Sequence, residues 1–282
     1  MSAENQPREH RPAMLSNPNA DRIKEVAALA GRSARRRSGR VLVEGPQAVR
    51  EALRFCGKDL LDVYISEEAW ERYPELVQEA KAATRWVHQV TNEVSKAIST
   101  DSQGITAVVK DFRTDGLPKV DWDFIVVLAQ TQDPGNAGTM IRIADAAGAD
   151  AVFICSGSVD VTSPKVVRSS AGSVFHLPSI VNVGLPEVLE WARARGMQLL
   201  GADGNGSVDL FDAADCMVDV DLAEPTAWIF GNEAHGFAQF DTSEIEHFVS
   251  IPLGGHAESL NVSAAAAVCL FASAKARRFN EL

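Results

Sequence analysis

Phe124-Ile125-Val126-Val127-Leu128-Ala129, then Gln132-Asp133-Pro134-Gly135-Asn136-Ala137-Gly138-Thr139-Met140-Ile141-Arg142, then Ala151-Val152-Phe153-Ile154-Cys155 decide the fold of this 282-residue chain. The two flanking runs are apolar without a break, as in parallel strands covered on both faces. Between them Thr139–Ala147 has a helical pattern, opened by proline and glycine. Strand, loop, helix and strand in that order predict a parallel sheet with crossover helices. The rhythm continues with a strand near Ser179–Val183, a helix over Pro186–Arg195 and a strand over Gln198–Gly201. Strands over Ala227–Phe230 and His247–Leu253 follow, then a closing helix from about Asn261 to Phe279.

Open parallel sheets bind ligands outside the carboxyl ends of their strands. Three stretches that set glycine beside polar groups fall at such ends: Asn136 to Arg142, Ile229-Phe230-Gly231-Asn232-Glu233, and Ile251-Pro252-Leu253-Gly254-Gly255 followed by Ser259-Leu260-Asn261-Val262-Ser263. In the first, Pro134 and Gly135 are expected to turn the chain and Gly138 to allow close backbone approach. Arg142, one helical turn further, is expected to project from the same end. Taken alone, each stretch has a plainer reading. Asn136 would be a helix cap and Arg142 a surface cation. Gly231 would sit at positive φ in a turn, and Glu258 and Ser259 would supply acceptors to a helix N-terminus. Gly201-Ala202-Asp203-Gly204-Asn205-Gly206 lacks the dinucleotide-binding spacing, which opposes a nicotinamide oxidoreductase, and is read as a turn that borders a pocket. No phosphate-binding loop or Ser/His/Asp arrangement is present, and His235 and His256 are read as loop residues.

The first hundred residues form a second alternating α/β unit. Residues 1–17 are polar and aperiodic and are expected to be a disordered tail. Asn19 or Asp21 could cap a helix running to about Ala30. Strands are expected over Val41–Glu44, Leu61–Ser66, Arg85–Val90 and Ile105–Val109, with helices over Gln47–Phe55, Pro74–Ala82 and Asn92–Ile98. Charged Asp111 to Asp123, with Gly116 and Pro118, breaks the pattern, so the domains are placed at 18–112 and 123–282 with a linker at 113–122.

The net charge is −11, but it is unevenly spread. Residues 1–60 carry 12 Lys+Arg against 7 Asp+Glu, leaving 15 against 31 for the other 222. Such a distribution opposes nonspecific coating of nucleic acid and allows docking through one basic face. Arg35, Arg36, Arg37 and Arg40 lie in that basic segment. The four cysteines are scattered without metal-ligand spacing, so no metal is expected. No apolar run reaches membrane-spanning length, and the protein is expected to be soluble and cytoplasmic.

The three glycine-bearing stretches, in this order and spacing, resemble the SpoU (TrmH-like) family of RNA ribose 2′-O-methyltransferases over about residues 120–282. The resemblance implies an α/β fold in which a parallel-sheet domain carries a deep trefoil knot, preceded by a smaller α/β RNA-binding domain related in fold to a ribosomal protein. It implies S-adenosyl-L-methionine as cofactor, with Gly231, Ile251, Leu253 and Leu260 gripping it. It also implies Asn136, Arg142, Glu233, Ser259 and Asn261 at the reacting ribose, with Glu233 orienting the asparagine and the arginine. A free guanidinium stays protonated, so Arg142 is assigned here to binding the adjacent phosphate and stabilising oxyanion charge. Arg35, Arg36, Arg37 and Arg40 resemble the opening of the family's RNA-binding domain. The implied substrate is large-subunit ribosomal RNA, with transfer RNA the alternative, and the implied assembly a homodimer through the knotted domain. A noncatalytic RNA-binding or ribosome-assembly factor is the rival from another class.

Overall fold

The computed structural model of the protein describes residues 14–232 and 235–280. The N-terminal unit runs α1 (Asp21–Ala28), α2 (Arg32–Ser38), β1 (Arg40–Glu44), α3 (Pro46–Phe55), β2 (Leu60–Ser66), α4 (Glu67–Arg72), α5 (Pro74–Ala83), β3 (Val87–Val90), α6 (Asn92–Ile98) and β4 (Ile105–Lys110). Its sheet has the order β1-β4-β2-β3, with β4 antiparallel to both neighbours and β3 parallel to β2. The C-terminal unit begins with β5 (Arg113–Asp115), β6 (Phe124–Leu128), α7 (Pro134–Ala147), β7 (Ala151–Cys155), α8 (Pro164–Ser169), β8 (Ser179–Val183) and α9 (Leu185–Arg193). It closes with β9 (Gln198–Ala202), β10 (Val208–Asp209), α10 (Leu210–Ala214), β11 (Thr226–Phe230), β12 (His247–Ser250) and α11 (Val262–Asn280). These eight strands form one sheet, β10-β12-β9-β11-β6-β7-β8-β5, in which every pairing is parallel.

Alternation along the central strands explains why both faces are covered. Phe124, Val126 and Leu128 of β6 pack with Met140 of α7, Trp228 of β11 and Leu270 of α11. Ile125 and Val127 point the other way, into a cluster with Phe153, Leu189, Trp191 and Leu199 on the α9 side. The first cluster continues into the N-terminal unit through Val41, Val43 and Ile105, so the two units share one buried core. Among the described residues no helix is long and apolar enough to cross a membrane.

Several elements differ from the sequence reading. The stretch expected as a linker supplies β5, which pairs with β8 at the sheet edge. Three polar residues, joined to β8 by backbone pairing and by the Asn182 side-chain amide donating to Asp115 Oδ1 at 2.6 Å, leave no apolar alternation to detect. Part of the expected tail is tied down: the Leu15 amide donates to the Gln89 carbonyl at 2.9 Å, and the Thr91 amide to the Leu15 carbonyl at 3.0 Å. Residues 1–13 lie outside the described residues. Neither Asn19 nor Asp21 caps α1, whose N-cap is Ala20 without a side-chain bond. Helix α7 starts at Pro134 rather than Thr139, because Asp133 caps it and proline suits the first helical position.

Polar ties fix the two units against each other. The Arg35 guanidinium is only 3% exposed. It donates to Thr162 Oγ1 at 3.1 Å, to Asp160 Oδ2 at 2.9 Å, and to the Leu29 and Ala30 carbonyls at 2.9 and 2.7 Å. Arg168 pairs with Glu44 of β1 and, at 2.9 Å, with Asp101. His176 contacts Asp145 at 2.7 Å and Glu51 of α3 at 3.3 Å.

Candidate active site

The carboxyl ends of β6, β11, β9 and β12 lie side by side in the sheet, and all three glycine-bearing stretches meet there. A cleft of about 410 Å³ opens between the ends of β9, β11 and β12 and the start of α11. Gly231, Ile251, Leu253, Ser259 and Leu260 line it. Its walls combine glycine backbone with Phe230, Val262 and Cys269. Burial pushes the Cys269 thiol up to about 12, so it stays protonated and serves as an apolar wall. A cavity of this size with apolar walls and few polar groups suits a small organic ligand.

Gly231 owes its place to crowding. Its φ is not positive, yet a Cβ there would lie 2.6 Å from the Gly236 carbonyl oxygen. The backbone amide of Asn232 donates to that same carbonyl at 2.9 Å, and the Gly236 amide returns the bond at 2.8 Å. Gly236 itself takes the left-handed conformation, with φ 53°. The end of β11 is therefore held by backbone pairing of Asn232 with Gly236, with Gly231 at the wall of the cleft.

Asn136 and Asn261 sit at the junction of α7 and α11. The Asn261 side-chain amide donates to Asn136 Oδ1 at 3.2 Å. Asn261 Oδ1 accepts from the Ser263 amide at 2.9 Å and thereby caps α11, a role the sequence reading gave to Glu258 and Ser259. The Ser263 hydroxyl, on a residue only 6% exposed, lies 3.3 Å from both the carbonyl oxygen and Oδ1 of Asn136. Asn136 is not the cap of α7; its amide donates to Asp133 Oδ1 at 2.8 Å. Gly138 serves helix packing, since a Cβ there would lie 1.9 Å from Ser169 Oγ of α8.

Arg142 stands apart. Because α7 starts at Pro134, Arg142 lies in its third turn, about 9 Å along the axis from Asn136 and about 120° round it. It is exposed, makes no ion pair among the described residues, and is not among the residues lining the cleft. Glu233 lies outside the described residues. Those residues hold no group of three or more His, Cys, Asp or Glu placed to bind a metal ion.

The sequence profile of the SpoU rRNA Methylase family matches residues 123–271. The chain belongs to this family. An MRM3-like substrate binding domain matches residues 20–107, in front of the SpoU part. An uncharacterized tRNA/rRNA methyltransferase of Synechocystis sp. is 31% identical over 92% of this chain and 92% of its own. The 23S rRNA (guanosine(2553)-2′-O)-methyltransferase RlmP of Bacillus subtilis is 30% identical over 91% of this chain and 97% of its own. Among solved structures, the SpoU methyltransferase AviRb from Streptomyces viridochromogenes in complex with the cofactor AdoMet is 29% identical. It superposes with a TM-score of 0.78, covering 92% of this chain and 99% of its own. The expected α/β architecture, a parallel-sheet SpoU unit behind a smaller α/β unit, is thus borne out.

One residue of the SpoU family chain's basic segment needs correcting. Arg35 was expected to face RNA with Arg36, Arg37 and Arg40, but it is buried against Asp160 and Thr162 of the C-terminal unit. Helical periodicity separates it from its neighbours: on the seven-residue α2, Arg36 and Arg37 are exposed while Arg35 turns inward. Arg40 is half-buried, 3.7 Å from Glu25. Sequence reasoning also missed Ser263 as a site residue. Its signal was the Asn-x-Ser spacing at a helix start, which puts the serine amide and hydroxyl beside the capping asparagine.

Proposed function

We propose that this protein methylates a ribose 2′-hydroxyl of large-subunit ribosomal RNA, with S-adenosyl-L-methionine as methyl donor, in the cytoplasm. The observation that carries the reading is the Asn136–Asn261 hydrogen bond, which joins the first and third stretches beside a donor-sized cleft. The activities of relatives in Streptomyces viridochromogenes and Bacillus subtilis, 2′-O-methylation of 23S rRNA, support the same substrate class. Gly231, Ile251, Leu253 and Leu260 would hold the donor against backbone and apolar side chains. The donor, when bound, supplies a sulfonium-activated methyl. The residues of the chain must then align a ribose hydroxyl with it and exclude other geometries. Ser259, exposed at the cleft, and the hydrogen-bonded side chains of Asn136 and Asn261 beside it would position the ribose. Arg142 binds the neighbouring phosphate with its planar fork and stabilises the developing oxyanion. Glu233 keeps its proposed role of orienting Arg142 and Asn136. Arg36, Arg37 and Arg40 contact RNA phosphates, which position a substrate without reading its sequence.

A homodimer completes the reading. A groove between the end of α7 and α11 is lined by Ala146, Ala147, Gly148, Phe271, Ala274, Lys275 and Arg278, and Phe271 is 50% exposed. Small residues beside a half-exposed aromatic suit a second helix pair. The proposed trefoil knot is supported by α11, which returns from β12 near one sheet edge to pack on α7 beyond β11 and β6.

The deciding experiment supplies labelled S-adenosylmethionine and unmodified 23S, 16S and transfer RNA separately, then digests each to nucleosides. The expected result is label in one 2′-O-methyl nucleoside of 23S RNA, lost in Arg142→Ala. Label in a base would overturn the reaction, and label in transfer RNA alone would overturn the substrate. Donor binding without transfer to any RNA or ribosomal particle would favour the noncatalytic factor.

A further inference from the structure

The charge of the cleft is one-sided. Among the described residues that line it, the charged side chains are Asp203 and Glu258; no lysine, arginine or histidine joins them, and the Cys269 thiol stays protonated. Glu258 is exposed, while Asp203 is half-buried just after β9 ends. Asp203 is also fixed. Its Oδ1 accepts from the Asn205 amide at 2.8 Å, and its amide donates to the Val249 carbonyl at 3.0 Å. Its Oδ2 lies towards Gly236, since a Cβ on that glycine would lie 3.6 Å from it. One carboxylate oxygen therefore holds a turn, and the other presents charge beside the backbone pair of Asn232 and Gly236.

We infer that Asp203 makes the cleft prefer a sulfonium donor to its neutral product. The inference rests on the cleft being the donor site. Donor and product share the adenosine, the ammonium and the carboxylate; they differ by one methyl and one positive charge at sulfur. Apolar walls and backbone grip the shared parts equally, so they cannot favour exchange of spent product for fresh donor. A fixed carboxylate in a partly enclosed cleft can, because charge pairs strengthen as water is excluded. Specificity is a difference of affinities, and here the distinguishing group is the charge.

The test is isothermal titration of the full chain with S-adenosylmethionine, S-adenosylhomocysteine and sinefungin, an analogue with a protonated amine in place of the sulfonium. The wild type is expected to bind both cations about tenfold more tightly than the neutral product, the scale of one partly screened charge pair. Asp203→Asn keeps the Oδ1 acceptor and the turn while removing the charge. It should bring all three ligands within about twofold of one another by weakening only the cations, and Asp203→Glu should retain the preference. Equal weakening of all three would place Asp203 against a shared group such as the ammonium and overturn the inference, as would an unchanged ratio. Gly231→Ala locates the donor independently. If it leaves S-adenosylmethionine affinity intact, the cleft is not the donor site, and that reading fails whatever Asp203 does.

Discussion

Asn136 and Asn261 stand 125 positions apart in sequence and share one hydrogen bond. Each amide is oriented by a second partner, so neither side chain is free to turn: Asn261 Oδ1 caps α11, and Ser263 donates to Asn136. Replacing Ser263 by alanine removes a buried donor and is expected to cost about 0.5–1.5 kcal/mol of stability. If Ser263 positions Asn136, kcat falls several-fold while donor affinity is unchanged; loss of donor affinity instead would assign Ser263 to the cleft. Gly231→Ala acts differently, because its new methyl meets the Gly236 carbonyl at 2.6 Å and the loop must shift. Overpacking of this kind costs about 1–3 kcal/mol, and calorimetry should show a lower melting temperature together with weakened donor binding. The residues at this site were legible in the sequence because strand ends, glycine and polar groups coincided. Their partners were not. Which asparagine caps a helix, and which glycine answers a crossing helix rather than a ligand, depends on neighbours far away in the chain.

At the scale of elements, the apolar strands β6, β7 and β11 were readable because burial on both faces leaves a continuous run. Edge strands β5 and β10 and the short α8 were missed, since each is held by backbone bonds or a single cap rather than by a long pattern. Helix α2 shows what a composition-level reading of arginines cannot separate. Arg35→Ala should leave Asp160 with only exposed Arg32, 3.7 Å away, as a charged partner, at a cost of up to about 3–5 kcal/mol, visible as a lowered denaturation midpoint. Arg36→Ala with Arg37→Ala touches two exposed side chains and should leave stability unchanged while weakening RNA binding and flattening its salt dependence. Burial by itself would raise Asp160, but hydrogen bonds from Thr162 and Arg35 outweigh it and hold the carboxyl below its ordinary value. A depressed folded-state value means the clamp is fully stabilising above about pH 4 and is lost as pH falls through the folded value. Acid unfolding monitored by near-ultraviolet circular dichroism should show Asp160→Asn less stable than wild type at neutral pH, with the gap narrowing below about pH 4.

For the whole molecule, the shared core and the clamps at Arg35, Arg168 and His176 fix the substrate-binding unit against the SpoU unit, so RNA is presented at a set orientation. Within one chain, however, the proposed site is incomplete. Arg142 does not line its own cleft. It sits one helical turn before Ala146, on the same face of α7, and Ala146 lines the groove beside half-exposed Phe271. Closing that groove with a second copy about a two-fold axis would carry each Arg142 to the interface, where it could serve the partner's cleft. Phe271→Glu, charged at the centre of the face, should give a monomer by light scattering and lose activity while keeping its melting cooperativity. The sharper experiment mixes Arg142→Ala with Gly231→Ala chains during refolding. If arginine acts across the interface, a mixed dimer regains one intact site, and random pairing restores about a quarter of wild-type activity. If arginine acts within its own chain, each site of a mixed dimer keeps one defect, a missing guanidinium in one and a crowded cleft in the other, and mixing restores nothing.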